Sequence, residues 1–494
     1  MTPAAATADG WLLVLAVGGP AACVPLTLAL GGRHARRLAI ALMPAGLALT
    51  VAIASAVWRG GDALVYRLGD WAPPLGIALR ADGLSAAMLL TTAIVIGAAA
   101  LFARADFDAG PGVPESRASF LFWPLLLTVW SGLNAVFVGA DLFHLFVALE
   151  LLTFGAVPMV CLDGRAATLS AALRYLLFAL IGSMLYLLGT GLLYGAYGTL
   201  DIGLLAERVR IEPVARIALS LMTVGLLAKM ALFPLHLWLP PAHAGAPPAA
   251  SAVLSALVVK GSFILIVRLW LDALPGLATP AAAQLLAALG AAAILFGSVL
   301  ALRQVRLKLL VAYSTVAQVG YLFLAFPLAS ATQIGSAAWT GGILQALSHA
   351  FAKAAMFLAA GLIAKALGHD RIDGLSGVGR ALPKTLFAFG IAGLSLMGLP
   401  PSGGFMAKWL LLRAAMDGGQ WWWALVIVAG GMFTGGYVFR VVARAVAATG
   451  ETPVLRCAIP RSQEWLVLAL ALLSVGIGLL PLASLGLVQI GRPS

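Results

Sequence analysis

Charged residues are scarce in this sequence: aspartate, glutamate, lysine and arginine make up only 10% of its 494 residues. Soluble globular domains carry about 25% charged residues and about 45–50% apolar residues. Here 62% of the chain is hydrophobic, and the mean hydropathy is +1.01. The longest polar connections, near 59–82 and 103–118, are too short to bury a hydrophobic core. A soluble domain is therefore excluded.

Cysteine is also rare, and Cys23, Cys161 and Cys457 stand far apart in the chain. The sequence contains no CxxC pair, no Cys/His cluster with ligand spacing and no glycine-rich phosphate loop. These absences exclude a disulfide framework, a zinc site and an iron–sulfur cluster, so we expect no cofactor and no bound metal. No basic stretch precedes the first apolar run, which is therefore predicted to be a retained span and not a cleaved signal peptide.

Long apolar runs are what the chain has in abundance. Runs of about 20 residues, the length of a membrane-crossing helix, recur along nearly the whole sequence. They are continuous and do not alternate at every second residue, which excludes a transmembrane β-barrel. The pattern predicts an all-α polytopic membrane protein with about fourteen transmembrane helices. The predicted spans lie near 11–30, 37–58, 83–103, 118–139, 141–161, 170–197, 213–236, 248–271, 280–302, 307–328, 336–366, 383–413, 420–446 and 463–490.

The net charge of +12 is explained by membrane topology and does not indicate a nucleic-acid partner. If the N-terminus is placed outside, the inward-facing connections contain about twice as many lysines and arginines as the outward-facing ones. Positive residues prefer the cytoplasmic side of a membrane. The protein is therefore predicted to lie in the inner (plasma) membrane of the cell, with both termini on the outer side.

Lysine and arginine occupy different places in the predicted spans. The arginines fall in connections or near span ends, whereas Lys229, Lys260, Lys353 and Lys408 lie well inside apolar runs. Arginine keeps its proton, but burial lowers the pKa of a lysine by up to about 3–5 units from about 10.4. Glu150 is the one clear carboxylate inside a predicted span. An opposed glutamate and lysine can be charged or neutral according to the charges nearby, as a proton relay requires.

Snorkelling is the alternative explanation for these lysines, because a long side chain near a helix end can carry its ammonium group to the interface. For Lys308, which follows Arg303 and Arg306 at a span entrance, snorkelling is the stronger interpretation. For the four mid-span lysines together with Glu150 we favour a functional role. Ionisable residues inside a membrane are costly, and they mark ion pathways by default.

Helix breakers accompany two of these lysines. Pro234 lies five residues after Lys229, and Pro400 and Pro401 precede Lys408. Proline removes an intrahelical hydrogen bond, and non-helical backbone at membrane depth persists only inside protein or beside water. One interrupted span in each half of the chain is typical of transporters built from internal repeats. Either break alone would be unexceptional, since proline and glycine are common in membrane helices.

Three histidines complete the set of candidates. His349 precedes Lys353 by four residues and so shares its helix face. Histidine titrates near neutrality and is suited to proton transfer between lysines, which makes His349 a candidate relay residue. His236 and His243, which follow Lys229, are weaker candidates for a gate or relay residue. Each histidine taken alone is more often a structural residue.

Seven segments in a fixed order, from about residue 80 to 415, resemble one known family. They are "DGLSA" at 82–86, the fifth predicted span with Glu150, "AKMALFPLHLWLPPAH" with Lys229, "APPAASAVLSALVVKGSF" with Lys260, "LKLLVAYSTVAQVGY" at 307–321, "SHAFAKAAMFLAAGLI" with His349 and Lys353, and "GLPPSGGFMAKWLLL" with Lys408. The family is that of the antiporter-like membrane subunits shared by respiratory complex I, membrane-bound hydrogenases and Mrp-type sodium/proton antiporters. The stretch "RLGDWAPPLGIALRADGLSA" looks most similar to the D-type member of the Mrp antiporters.

The resemblance implies a fold of about fourteen helices with two inverted five-helix repeats and two broken helices. The repeats would occupy 111–275 and 276–450, flanked by N-terminal helices at 1–110 and a C-terminal helix at 451–494. It also implies a role for each candidate residue. Glu150 and Lys229 would form an interacting pair, Lys260 a central relay, His349 and Lys353 a link to the second half, and Lys408 the terminal group.

The implied function is that of an ion-translocating subunit in a complex with other membrane subunits. Such a subunit moves protons, and whether it exchanges them for sodium is left open. Alternatively, redox partners or another cytoplasmic partner would drive proton translocation. Any redox step would then take place in a partner. A membrane-embedded transferase is less favoured, because the connections carry no convincing paired acids or exposed nucleophile. The chain departs from the family pattern at Pro241 and Arg306, where many relatives have an acid, and both positions are predicted near the cytoplasmic mouth.

Overall fold

The structure, a computed structural model, describes residues 5–107, 116–329, 335–447, 455–480 and 482–491. The predicted boundaries at 110/111 and at 450/451 lie outside the described residues. The first nine helices are α1 (Trp11–Leu30), α2 (Gly32–Gly60), α3 (Gly83–Ala103), α4 (Arg117–Val138), α5 (Leu142–Val160), α6 (Ala166–Tyr197), α7 (Ile202–Arg208), α8 (Pro213–Lys229) and α9 (Leu239–Gly245). They are followed by α10 (Pro248–Val253), α11 (Val259–Val267), α12 (Pro280–Arg303), α13 (Leu307–Ala329), α14 (Gly335–Leu367), α15 (Val378–Ala381), α16 (Pro383–Met397), α17 (Gly403–Asp417), α18 (Trp421–Val446) and α19 (Arg461–Gly476).

The prediction of an all-α polytopic membrane protein is confirmed. Within the described residues, 12 helices are long and apolar enough to cross a membrane. One of them is the run Pro248–Ala273, in which α10 and α11 are joined and followed by π-helical turns at Leu254–Val258 and Arg268–Ala273. The connection predicted at 59–82 contains two short antiparallel strands, β1 (Leu64–Arg67) and β2 (Ala78–Ala81).

The expected count of about fourteen spans is not reproduced by length and composition, because two expected spans are interrupted. The segment expected at 213–236 leaves its helix after Lys229, and the chain turns at Ala231, whose φ is 60°. The segment expected at 383–413 is divided into α16 and α17 by Gly398, whose φ is 89°. A left-handed residue just after a helix end is a common helix terminator.

The residue contacts group the chain into two compact units. The first contains Met1–Met230, Leu257–Thr279 and Leu482–Ser494, and the second contains Ala231–Ala256 and Pro280–Pro481. Within the first unit, α6 and α8 cross closely through Gly182 and Gly225. A Cβ atom at Gly225 would lie 2.3 Å from the carbonyl oxygen of Gly182. Only glycine permits this approach of two helix backbones.

The second unit has α13 and α14 at its centre, with almost every residue of α13 buried. Its α12 and α13 cross through another glycine pair, in which a Cβ atom at Gly320 would lie 2.3 Å from the carbonyl oxygen of Gly290. An apolar cluster that includes Ile294, Leu324 and Leu411 packs beside this crossing. The buried polar residues described below therefore lie in closely packed helices, where an unpaired polar group is costly.

Candidate functional site

An ion pair joins α5 and α8 in the first unit. Lys229 Nζ lies 2.9 Å from Glu150 Oε1, and it also donates to Ser183 Oγ at 2.6 Å and to Thr153 Oγ1 at 3.1 Å. The hydroxyl of Ser183 donates to the same Glu150 oxygen. A lysine ammonium has three donors, and each of them has an oxygen acceptor here. The lysine end of the pair is 5% exposed and the glutamate end 16%.

Local sequence explains how these groups meet. Glu150 and Thr153 are three residues apart on α5 and so share a helix face. Lys229 is the last residue of α8, four residues after Gly225, and therefore sits beside the glycine crossing with α6. Gly182 precedes Ser183 on α6, and a Cβ atom there would lie 3.0 Å from Lys229 Cγ. Glycine at this position makes room for the lysine side chain.

Lys260 is fully buried in the first unit. It lies on α11, which packs against α4, α5 and α8 of the same unit. Its neighbour Gly261 lies against the helices that line this position: a Cβ atom there would contact Leu152 at 3.5 Å and Val136 at 3.7 Å. The π-helical turns on either side of α11 had no signal in the sequence. Such turns occur often at functional sites.

Lys353 lies on α14 in the second unit, and its side chain is fully buried. Its ammonium group donates to the carbonyl oxygen of Val311 at 2.9 Å and to the hydroxyl of Ser314. His349, one turn earlier on the same helix, is 1% exposed. The structure thus places both predicted residues inside the protein, on one face of α14.

Lys408 lies at the interruption between α16 and α17. Its Nζ donates to the carbonyl oxygens of Leu396 at 2.6 Å and Met397 at 3.3 Å, which are the last two residues of α16. It also lies 4.2 Å from the centre of the Tyr321 ring. A cation at the C-terminal end of a helix and over an aromatic face is favourably placed in both respects. All four predicted lysines are between 0% and 6% exposed, so none of them reaches an interface by snorkelling.

A line of neutral polar groups runs between Lys353 and Lys408. Ser314, which accepts from Lys353, is four residues before Gln318 on α13. The amide of Gln318 donates to the carbonyl oxygen of Leu396 at 3.2 Å, the same oxygen that accepts from Lys408. Gln345 of α14 donates to Gln318 Oε1 at 3.0 Å. Polar side chains one helical turn apart on α13 thus lie between two buried lysines within one unit.

The two weaker histidine candidates are buried in the second unit. His236 stacks on Phe233 with ring centroids 5.5 Å apart and meets Phe296 edge-on at 5.3 Å. His243 lies in α9 and stacks on Phe357 at 4.5 Å. Aromatic packing of this kind is what a structural histidine would show as well. A gate or relay role for them stays a prediction.

The predicted helix breakers lie outside regular helix. Pro234 is in the segment between α8 and α9, and Pro400 and Pro401 are in the segment between α16 and α17. After the second interruption, Ser402 caps α17 by accepting a hydrogen bond from the Phe405 backbone at 3.1 Å. The interruption therefore ends in a properly formed helix start, which holds Lys408 in the second turn of α17.

A second buried charge cluster in the first unit was missed by the sequence analysis. Arg268 contacts both carboxylate oxygens of Asp82, at 2.5 and 2.7 Å, and also Asp272 at 2.7 Å. Asp82 is the N-cap of α3, and Ser85 joins the cluster with its hydroxyl 3.0 Å from Arg268. These residues fix the start of α3 to the helical run that carries Lys260. Asp272 and Arg268 are four residues apart, which was a usable signal, but the sequence separation of 186 between Asp82 and Arg268 concealed their contact.

The partners of the lysines were missed for a different reason. Ser183, Thr153, Ser314 and Gln318 are single polar residues in apolar runs, and serine or threonine can bond its own helix at little cost. Thr153 and Ser314 do bond a carbonyl oxygen of their own helix, at 2.8 Å in each case. Nothing in the sequence distinguishes such a residue from one that also accepts from a lysine.

Comparison with known proteins adds independent evidence. Residues 139–434, more than half of the chain, match the family described as "NADH:quinone oxidoreductase/Mrp antiporter, TM". The chain is 33% identical over 483 residues to the N-type subunit of the NADH-quinone oxidoreductase of Desulforudis audaxviator, covering 92% of this chain and 94% of that protein. It is 30% identical over 375 residues to the D-type subunit of the Na(+)/H(+) antiporter of Alkalihalophilus pseudofirmus, covering 75% and 73% of the two chains.

A solved structure is similar over nearly the whole length. A chain in the structure of the Mrp complex from Dietzia sp. DQ12-45-1b superposes with a TM-score of 0.89 at 26% identity, with 98% of this chain and 97% of that chain covered. The resemblance drawn from the sequence motifs is therefore confirmed at the level of the family. Both the N type of the oxidoreductases and the D type of the antiporters are among the relatives.

Proposed function

Because the chain belongs to the family of membrane subunits shared by NADH:quinone oxidoreductases and Mrp antiporters, we propose that it translocates protons across the membrane as one subunit of a larger complex. The observation that carries the proposal is the ion pair between the buried Lys229 and the half-buried Glu150, with Ser183 and Thr153 as further hydrogen-bond partners. A buried ion pair is weak evidence for stability, whereas ionisable groups inside a membrane mark ion pathways.

The pair has the chemistry that a proton step needs. Transfer of one proton from Lys229 to Glu150 converts two charged groups into two neutral ones over a distance of 2.9 Å. In a low-dielectric interior a neighbouring charge strongly biases such an equilibrium. The hydroxyl of Ser183 bonds both partners, so it remains a ligand of the pair in either state.

We assign the other buried residues to successive positions of the relay. Lys260 is the central group, His349 and Lys353 form the link, and Lys408 is the terminal group, with His236 and His243 as gate or relay residues. The polar line through Ser314 and Gln318 supports a passage between Lys353 and Lys408. We further propose that 111–275 and 276–450 are the two inverted repeats, each with one interrupted span, flanked by 1–110 and 451–494.

We propose that translocation is driven either by an ion gradient or by a reaction in a partner. Structural neighbours of this chain belong to multi-subunit membrane complexes, so other membrane subunits are its partners. Relatives named as parts of a Na(+)/H(+) antiporter and of an NADH-quinone oxidoreductase favour two drives, exchange against sodium and coupling to a redox reaction. In the second case the redox groups lie in a partner. The protein is a multi-pass membrane protein of the plasma membrane, and we propose that both termini face outward.

Proton flux in vesicles that contain the assembled complex tests the proposal. Lys229→Ala should abolish flux while the complex still assembles, because it removes one member of the switching pair. The matched control is Lys365→Ala at an exposed position near the end of α14, which should keep normal flux. Unchanged flux in Lys229→Ala, with normal assembly, would exclude the assignment.

A further inference from the structure

A deep apolar groove runs between α16 and α18 in the second unit. Its volume is about 660 Å³, and residues of α15, α16 and α18 line it. Phe387 and Phe439 form its rims and are 62% and 73% exposed. Gly390 lines it from α16, and the space around the position of its missing Cβ atom is open to 4 Å. The groove therefore faces away from the protein core and is wide enough for a chain of methylene groups.

The groove is a little longer than one membrane leaflet. Its lining extends from Val446 to Gly435 on α18 and from Pro383 to Met397 on α16, and eleven and fourteen residues of helix rise about 16 and about 21 Å. The hydrocarbon core of a bilayer is about 30 Å thick. One end of the groove lies at the end of α18 and the start of α16, where these helices are expected to leave the membrane. Its other end, at Met397 and Gly435, therefore lies inside the hydrocarbon core.

The open end carries one cation. Arg380 is the single charged residue among the described residues that line the groove. Its guanidinium group has no hydrogen-bond or ion-pair partner within the part of the chain that the structure describes. A guanidinium group matches a phosphate with two parallel hydrogen bonds. A cation at the depth of the headgroups, above an apolar groove about one leaflet deep, is complementary to an anionic phospholipid in charge and in shape.

We propose that this groove binds one anionic phospholipid, with its phosphate on Arg380 and an acyl chain between Phe387 and Phe439. A transmembrane helix of a partner would cross both leaflets, whereas the lining of the groove stops at Met397 and Gly435, part-way across the membrane. The depth of the groove and the charge at its open end thus favour the lipid over a partner helix.

The inner end of the groove lies next to the predicted terminal relay group. Met397 lines the groove and also a neighbouring cavity of about 370 Å³ whose lining includes Lys408. The carbonyl oxygen of the same Met397 accepts from Lys408 Nζ at 3.3 Å. The acyl chain therefore ends against the last turn of α16, which positions the acceptors of Lys408. An effect of the lipid on proton transfer at Lys408 rests on the proposed function, whereas binding of the lipid does not.

Photocrosslinking of the intact complex tests the proposal. The probes are phosphatidylglycerol and phosphatidylcholine that carry the same photoreactive group on an acyl chain, each reconstituted in vesicles with the complex. Phosphatidylglycerol should label peptides of α16 and α18 at least about fivefold more than phosphatidylcholine, because one basic contact contributes about 1 kcal/mol to binding an anionic lipid. Equal labelling by the two probes would reduce the groove to ordinary lipid contact and overturn the proposal.

Two variants and two matched controls make the result specific. Arg380→Gln should remove the preference for phosphatidylglycerol. Gly390→Leu should fill the groove and lower labelling by both probes. Arg216→Gln at an exposed arginine and Gly191→Leu at an open glycine of α6 should leave labelling unchanged. If Arg380→Gln keeps the preference, or if another protein of the complex crosslinks to α16 and α18 in place of lipid, the proposal is wrong. The experiment measures lipid labelling and not proton flux, so its outcome is independent of whether the transport proposal is correct.

Discussion

The buried lysines differ in the groups that accept hydrogen bonds from their ammonium groups. Lys229 has a carboxylate at 2.9 Å, whereas the contacts described for Lys408 are two carbonyl oxygens and an aromatic ring. Removing one member of a buried ion pair leaves the other uncompensated, at a cost of about 3–5 kcal/mol, while removing both members is often nearly neutral. Truncating a lysine held by carbonyl oxygens at a helix end leaves no opposite charge behind.

Replacement of the pair should therefore be strongly non-additive. Lys229→Met is expected to destabilise the complex by about 3–5 kcal/mol, and the added substitution Glu150→Gln should recover most of that loss. Lys408→Met should cost less than Lys229→Met alone. Thermal unfolding of the purified complex measures these three variants and Glu150→Gln alone. Additive effects of Lys229→Met and Glu150→Gln would mean that Glu150 and Lys229 do not interact.

The polar line between Lys353 and Lys408 leads to a second expectation. Gln318→Leu removes the amide that shares the Leu396 oxygen with Lys408, so proton flux should fall at least about tenfold, the rate effect of about 1.4 kcal/mol on a barrier. Gln284→Leu changes a glutamine of α12 that bonds Gln420 instead and should keep its flux. Equal flux in the two variants would show that protons do not pass by Gln318.

Sequence alone located the charged members of the site but not their neutral ligands. Lys229, Lys353 and Lys408 were conspicuous because a charge in an apolar run is costly. Ser183 and Ser314 were not, because a hydroxyl that can bond its own helix carries no such cost. The pairing of Glu150 with Lys229 was suggested by family resemblance, and the three-dimensional contact between α5 and α8 supplied the distance.

Helix crossings set the geometry of the pair at the level of elements. The backbones of α6 and α8 touch through Gly182 and Gly225, and Lys229 lies one helical turn beyond that contact. A larger residue at the crossing forces the helices apart, because the nearest atom is a backbone carbonyl oxygen that cannot rotate away. Overpacking of this kind costs about 1–3 kcal/mol. The distance between Glu150 and Lys229 depends on the same spacing.

Gly225→Ala is accordingly expected to destabilise the complex by about 1–3 kcal/mol and to lower proton flux, although no charged residue is changed. Gly191→Ala, on the same helix as Gly182 but with open space around it, should affect neither property. Thermal unfolding and vesicle flux provide the two measurements. A stable and fully active Gly225→Ala variant would mean that the close crossing does not position Lys229.

The interruptions at Pro234 and at Pro400 could be foreseen, because proline cannot donate a backbone hydrogen bond. The π-helical turns around α11 could not, since Leu254–Val258 has the composition of an ordinary apolar helix. The cluster of Asp82, Arg268 and Asp272 joins α3 to a distant helix, and a single sequence does not reveal such contacts. Local chemistry thus predicts where helices end better than where they meet.

The whole molecule has an orientation that the arginine distribution predicts. Asp62, in the connection after α2, should face outward, and Val305, between α12 and α13, should face inward. Single cysteines at these exposed positions, in a variant lacking Cys23, Cys161 and Cys457, can be labelled in intact cells by a reagent that does not cross membranes. Asp62→Cys should be labelled and Val305→Cys protected, and the reverse pattern would invert the topology.

For the whole molecule, amino-acid composition was sufficient to predict the class of protein. The lack of charge and the recurring apolar runs predicted an all-α polytopic membrane protein, and the helical spans confirm it. Composition does not give the number of spans, because interrupted helices such as α16 are too short to count by length.

Infrared difference spectroscopy of the complex during turnover tests the central claim that Glu150 and Lys229 exchange a proton. The carbonyl stretch of a protonated carboxylic acid is absent from the carboxylate, so it reports the neutral form of the pair directly. We predict that a protonated-carboxyl band appears when the complex is energised and that Glu150→Gln removes it, while the Glu207→Gln control, an exposed glutamate in α7, retains it. A band that persists in Glu150→Gln, or its absence from the active complex, would contradict the account.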